Sequence, residues 1–211
     1  MEDLLPIFPL SLVVFPGEKL NLHVFETRYK QLVNEALANT TNFGIPCFLN
    51  GKLCPRGTEV EIQAVERVYS KGEMDISTVG LRRFSIVEVH KQVPDKLYSV
   101  AKVRWMEDKE NGDNYLRDEI LGMLRELHQT LRISKEKLDD VESFSCYKIA
   151  HYIGFNLEQE YELMGLDSER ERQFMILHHL KQILPVVQET ERLKERIRAN
   201  GHFKNLDPPN F

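Results

Sequence analysis

Two Phe-Pro steps, Phe8-Pro9 and Phe15-Pro16, stand seven residues apart in an otherwise apolar opening, LLPIFPLSLVVFPGEKLNLHVF. Each proline fixes φ, removes a backbone donor and biases the residue before it toward extended backbone. The apolar run is therefore cut into short extended pieces. Gly17 follows Pro16 and marks a turn. Leu20, Leu22 and Val24 then alternate with Asn21 and His23, the period of a half-buried strand. Tyr29, Leu32, Val33, Ala36 and Leu37 fall on one helical face. The spacing predicts strand, proline-paced turn, strand and helix over residues 4–38.

The rest of the first half reads as strands. Phe43–Leu49 is a short apolar stretch closed by the turn dipeptide Asn50-Gly51. Pro55-Arg56-Gly57 reads as a second turn. From Thr58 the period is two, with Val60, Ile62 and Ala64 on one face and Glu59, Glu61 and Gln63 on a wet face. Lys71-Gly72-Glu73 reads as a hairpin turn, and the return segment Met74–Val89 changes phase near Gly80, as at a bulge or a barrel corner. Tyr98–Met106 is a further strand. Short strands around one early helix suggest a small closed or semi-closed barrel.

Near residue 113 the pattern turns helical. Leu116, Ile120, Leu121, Leu124, Leu127 and Leu131 form an apolar stripe behind Asp113. A charged break covers 134–142. A short helix over 143–152 stops at Gly154, and Asn156 with Gln159 makes a capping box for the next. Ser168 with Glu171 makes another, opening a helix that runs from Glu169 to Ala199 with Gly201 as its stop. Pro185 lies inside it, where a kink or break is expected. Beyond Pro185 the apolar seam thins to Val186, Leu193 and Ile197 among many charges. Such a helix either ends in solvent or pairs with something else, and a homodimer through it is one reading. The tail, 201–211, is either disordered or docked as an extended segment. The division expected is a barrel over 1–110 and a helical subdomain over 111–211.

Chemistry is mostly excluded. The chain has no G-x-x-x-x-G-K-[ST] phosphate cradle, no G-x-S-x-G elbow and no H-E-x-x-H. Ser145-Cys146-Tyr147-Lys148 satisfies S-x-x-K without its companion motifs, so no catalytic residue is assigned. His178 and His179 point about 100° apart on a helix and do not share a metal easily; no metal or cofactor is expected. Cys47 and Cys54 flank the Asn50-Gly51 turn and can face each other on a hairpin, where buried small hydrophobes are the simpler reading. Three cysteines without C-x-x-C spacing suit a reducing cytoplasm, and no run is apolar enough for a membrane span. Residues 1–107 carry 13 basic and 13 acidic side chains, and the whole chain has a net charge of −5. That is not the basic excess of a general nucleic-acid binder.

The first block, FPLSLVVFPGEKLNLHVFETRYKQLV, resembles the opening of the Lon-protease N-terminal (substrate-binding) domain family. Thr27 stands where that family often has proline, a substitution compatible with a helix start. Gly80-Leu81-Arg82-Arg83-Phe84-Ser85-Ile86 is similar to the family's second motif, and Tyr98–Val103 to a following strand. The resemblance spans about 1–184, more weakly in the helical half. It implies an α+β fold: a PUA-like β-barrel with one early helix, then an α-helical subdomain ending in a long helix. It also implies a non-enzymatic module that binds polypeptide, an adaptor or regulator in proteolysis or quality control, since the ATPase and Ser-Lys protease modules are not in this chain. The alternative is RNA binding by a PUA-like barrel. Candidate partner-contacting residues are Phe15, His23, Glu26, Arg28, Arg82 and Arg83. The charged four either make ion pairs fixing helix to sheet or rim a groove that orients a bound peptide. His23, opposite Leu22 and Val24 on its strand, is expected at the surface.

Overall fold

The computed structural model describes residues 2–132 and 144–202; the charged break over 134–142 and the tail past residue 202 lie outside the described residues. Among the described residues, six strands and five helices make a mixed α+β fold: β1 (Glu2–Ile7), β2 (Lys19–Val24), α1 (Thr27–Asn39), β3 (Phe43–Leu49), β4 (Lys52–Val68), β5 (Met74–His90), β6 (Ser99–Trp105), α2 (Asn114–Leu131), α3 (Cys146–Ile149), α4 (Leu157–Met164) and α5 (Glu169–His202). Contacts group the chain into two compact units, Met1–Glu110 with Ser145–Glu169, and Asn111–Phe144 with Arg170–Phe211.

In the first unit the sheet order is β2-β5-β4-β3-β1-β6, and β5 also pairs with β6. Five strands thus close into a barrel, which leaves no open edge among them. β2 is added outside that ring. The phase change in β5 is a change of partner: residues 74–79 pair with β2 and residues 84–90 with β6. Gly80 sits at the handover. Its amide donates to the Glu18 carbonyl and its own carbonyl accepts from Gly17, so the Phe15-Pro16-Gly17 turn lies directly on it.

Both Phe-Pro steps place an aromatic ring in the interior. Phe8 is buried and stacks on Tyr29 of α1, with ring centroids 3.8 Å apart. Phe15 is fully buried against Tyr147. Tyr29, Leu32, Val33 and Ala36 drive one face of α1 into a core with Val14, Leu22, Val24, Phe43, Ile45, Val60 and Ile76. Each large side chain buried there contributes about 1.5–3 kcal/mol. A second cluster, Leu5, Ile7, Phe84, Ala101 and Val103, fills the remaining barrel.

Two local expectations need correction. Pro55-Arg56-Gly57 is not a turn; it lies within β4, beside a register shift in β3 between Pro46 and Phe48. Gly57 is there because a β-carbon would stand 2.5 Å from the Ile45 carbonyl oxygen. Glu59 is not on a wet face. It is 6 % exposed, and Arg82 and Asn42 satisfy its carboxylate.

In the second unit, Asp113 caps α2 by accepting from the Tyr115 and Leu116 amides. The predicted stripe is buried apart from Leu131. α5 continues through Pro185 without a break. Pro185 and Lys181, whose carbonyl loses its partner, are both exposed, so water can replace the missing bond. The polar ties between α2 and α5 rise together in sequence: Asp113 with Gln173, Glu119 with Lys181, Glu126 with Gln188, Arg132 with Glu195. The two helices therefore run parallel, which the long connection between them permits.

Candidate functional site

A groove of about 740 Å³ opens where the first Phe-Pro step meets the barrel. One wall is the residues just past β1, Pro9, Leu10 and Ser11, with Ile7 before them. These residues are held in place by backbone bonds. The Phe8 amide donates to the Gly44 carbonyl, the Leu10 amide to the Pro46 carbonyl, and the Phe48 amide back to the Leu10 carbonyl. Pro9, which cannot donate, occupies the position between. The opposite walls are the tip of the β3–β4 hairpin (Phe48, Gly51, Leu53) and the facing ends of β5 and β6 (Val89, Lys91, Ser99). The hairpin tip is a two-residue turn with Asn50 and Gly51 both at positive φ. Arg28 and Tyr29 of α1 complete the lining.

Most of that lining is apolar, and its only charged side chains are Arg28 and Lys91. Tyr29 presents a ring whose hydroxyl is held above its ordinary range by burial. Arg28 stacks over the Tyr29 ring at 4.5 Å and bonds Glu26, Nε to Oε2, at 2.9 Å. Lys91 is exposed and makes no ion pair with another described residue.

The six sequence-selected residues do not converge. Arg28 lines the groove and Glu26 is its ion-pair partner. His23 is half-exposed, with Nδ1 at 2.6 Å from Asp75, whose other oxygen accepts from Tyr69. Those two bonds, Tyr69 first, hold the Asp75 carboxyl below its usual range. Arg82 reaches across to Glu59 and lies 3.5 Å above the Trp105 ring. Phe15 and Arg83 are fully buried. Arg83 donates to the carbonyls of Met164 at 2.7 Å, Leu166 at 2.9 Å and Glu107 at 2.6 Å, and pairs with Asp108 at 3.0 Å. It is the bolt that holds the end of α4 to the barrel. Leu10, Phe48, Leu53, Val89 and Lys91 were not selected from the sequence. They come from four separate segments, and only the Asn50-Gly51 turn hinted that Phe48 and Leu53 share a hairpin face.

A second polar cluster joins the segments of this unit. His151 bonds Glu160 at 2.7 Å through Nδ1 and Glu18 at 3.2 Å through Nε2. Hydrogen bonds to Glu160 and then Glu18 push the imidazole up to about 10, so it is a cation at neutral pH. Among the described residues no group of His, Cys, Asp or Glu is arranged to hold a metal ion, and no helix is long and apolar enough to cross a membrane.

The model of the ATP-dependent protease La (LON) substrate-binding domain family matches residues 4–182. The chain belongs to this family. Among solved structures, a Lon N-terminal domain protein from Xanthomonas campestris is 26% identical, with a TM-score of 0.66, over 83% of this chain and 98% of that one. The N-terminal domain of a Mycobacterium avium complex Lon protease is 16% identical, with a TM-score of 0.65, over 85% and 98%, and shares the fold. No curated protein matches the sequence. A substrate-recognition role follows from the family, and the family's role is binding rather than catalysis. RNA binding is not favoured.

Proposed function

We propose that the groove beside the first Phe-Pro step is where this Lon-type domain takes up polypeptide, as an extended apolar segment carrying a carboxylate. The observation that carries this reading is the lining: an apolar floor with two cations and no acid among the residues that face it. Apolar contact supplies affinity, and Arg28 with Lys91 orients the chain and rejects basic segments. The domain then acts as an adaptor or regulator, presenting bound chains to a separate degradative or refolding machine. The family match supports the first step of this reading.

The test is fluorescence anisotropy with two dye-labelled apolar peptides that differ only in a central Glu or Lys. The Glu peptide is expected to bind at least tenfold more tightly, about 1.4 kcal/mol. Phe48→Glu should weaken both and Lys91→Glu should erase the preference. Binding of neither peptide, or binding that ignores both substitutions, removes the groove as the site.

We propose in addition that two copies associate through α5. Val186, Leu193 and Ile197 are 65 %, 47 % and 71 % exposed, on the face away from the Gln188 and Glu195 side chains that engage α2.

A further inference from the structure

We propose that Cys47 and Cys54 form a reversible redox pair, closed into an intramolecular disulfide when the protein meets a peroxide. Phe48 pairs with Leu53 and Leu49 with Lys52 across the two-residue turn. Cys47 and Cys54 are the next residues on the two strands, just where the ladder shifts, and their side chains are within hydrogen-bonding reach of each other. Opposed residues on antiparallel strands have Cα atoms about 4.5–5.5 Å apart and side chains on one face, inside the roughly 4.4–6.8 Å that a disulfide spans. The ladder to β4 shifts at this position, between Pro46 and Phe48, while the Leu10 segment holds the other edge of β3 at Cys47, so the cysteine pair lies where β4 departs from regular pairing.

The two thiols are unequal in the way such chemistry needs. Cys54 is partly exposed and Cys47 is buried. Burial pushes the Cys47 thiol up to about 11, and the neighbouring Cys54 adds to it by charge and hydrogen bonding. Cys54 is therefore the thiol a peroxide reaches and oxidises. The Cys54 thiol takes one oxygen from the peroxide as the O–O bond breaks, giving a sulfenic acid and one water. The Cys47 sulfur then attacks the Cys54 sulfur, the S–S bond forms, and the hydroxyl leaves as water with the Cys47 proton. Two thiols are oxidised and one peroxide is reduced.

The pair sits beneath a wall of the groove. Phe48 and Leu53, the next pair toward the turn, both line it. The cross-link ties the hairpin at its base and fixes the spacing of that wall. This functional consequence rests on the groove reading above; the disulfide itself does not.

The experiment treats the full chain with hydrogen peroxide and maps its peptides by mass spectrometry without reduction. The expected product is a Cys47–Cys54 linked peptide, two hydrogens lighter than the thiol form, restored by dithiothreitol. Cys146, also buried, should keep its thiol. Cys54→Ser, at the partly exposed position, should abolish the product. Sulfinic or sulfonic acid on Cys54 without a linked peptide, or oxidation of Cys146 at the same rate, overturns the proposal. Peptide anisotropy on the oxidised protein is read separately, so a disulfide that forms without altering binding counts against the groove and not against the redox pair.

Discussion

The α-carbon of Gly80 lies against the main chain of Phe15, so closely that a β-carbon on residue 80 would stand 2.3 Å from the Phe15 carbonyl oxygen. The turn after the second Phe-Pro step thus seats directly on the point where β5 changes partner. The atom in the way is backbone, which cannot swing aside. Gly80→Ala is expected to cost about 2–3 kcal/mol in urea denaturation. Gly122, exposed in the middle of α2, is the contrast, since a β-carbon there meets nothing within 4 Å. Gly122→Ala should stabilise by roughly 1 kcal/mol through helix propensity alone. Equal effects at the two positions would mean that the close approach at Gly80 does not matter.

Arg83 has no exposed surface and serves three carbonyls and two aspartates. Replacing it with methionine keeps the stem but strands those acceptors beside the Asp108 carboxylate. The expected cost is about 3–5 kcal/mol, with lysine recovering little of it because a single ammonium cannot match the forked geometry. Hydrogen exchange locates the effect: protection in residues 157–166 should fall first. A uniform fall across the barrel would contradict the role of a local bolt.

The first block was legible because proline, glycine and strict alternation are local signals. Leu22, Val24 and the α1 face apart from Leu37, which is 41 % exposed, lie where those signals put them, whereas Phe15, a candidate for partner contact, is fully buried. The phase change at Gly80 was legible as an event but not as its cause, since pairing with β2 and then β6 is set by segments far apart in sequence. Arg83 reads in sequence as one of two adjacent charges, and nothing local says that Arg82 lies over Trp105 while Arg83 is enclosed. Its partners, Met164 and Leu166, are some 80 residues away. The groove was least legible for the same reason. Its walls come from five strand ends, and side chains that are unremarkable along the chain acquire meaning only when closure of the barrel brings those ends together.

His151 gives a pH dependence whose sign is fixed. Its folded-state pKa of about 10 lies above the ordinary 6.5, through its bonds to Glu160 and Glu18. A raised pKa means that the folded state holds the proton more tightly than the unfolded one. The stabilisation is therefore complete below about pH 6.5 and is lost as pH rises toward 10. Urea midpoints measured from pH 6 to pH 10 should fall in the native protein. The slope should flatten in His151→Gln, with about 1–2 kcal/mol separating the two proteins at pH 6 and little at pH 10. Parallel curves would assign the pH response to other groups.

The exposed seam on α5 makes a prediction about assembly. In a parallel pair of α5 helices, Val186, Leu193 and Ile197 meet their counterparts at heptad core spacing, and Glu189 then faces Lys194 of the second copy, five residues on. Lys194 already bonds Glu191 within its own helix at 2.6 Å, so the intermolecular pair shares it. Sedimentation velocity over a concentration series is expected to show a weak, concentration-dependent dimer. Leu193→Glu should render it monomeric while changing stability by less than about 0.5 kcal/mol, because the position is outside the α2 contact. Glu189→Lys should weaken association and Glu189→Lys with Lys194→Glu should restore it, which a merely sticky apolar helix would not do. A protein that stays monomeric across the series, or a charge exchange without effect, removes the parallel pairing of α5.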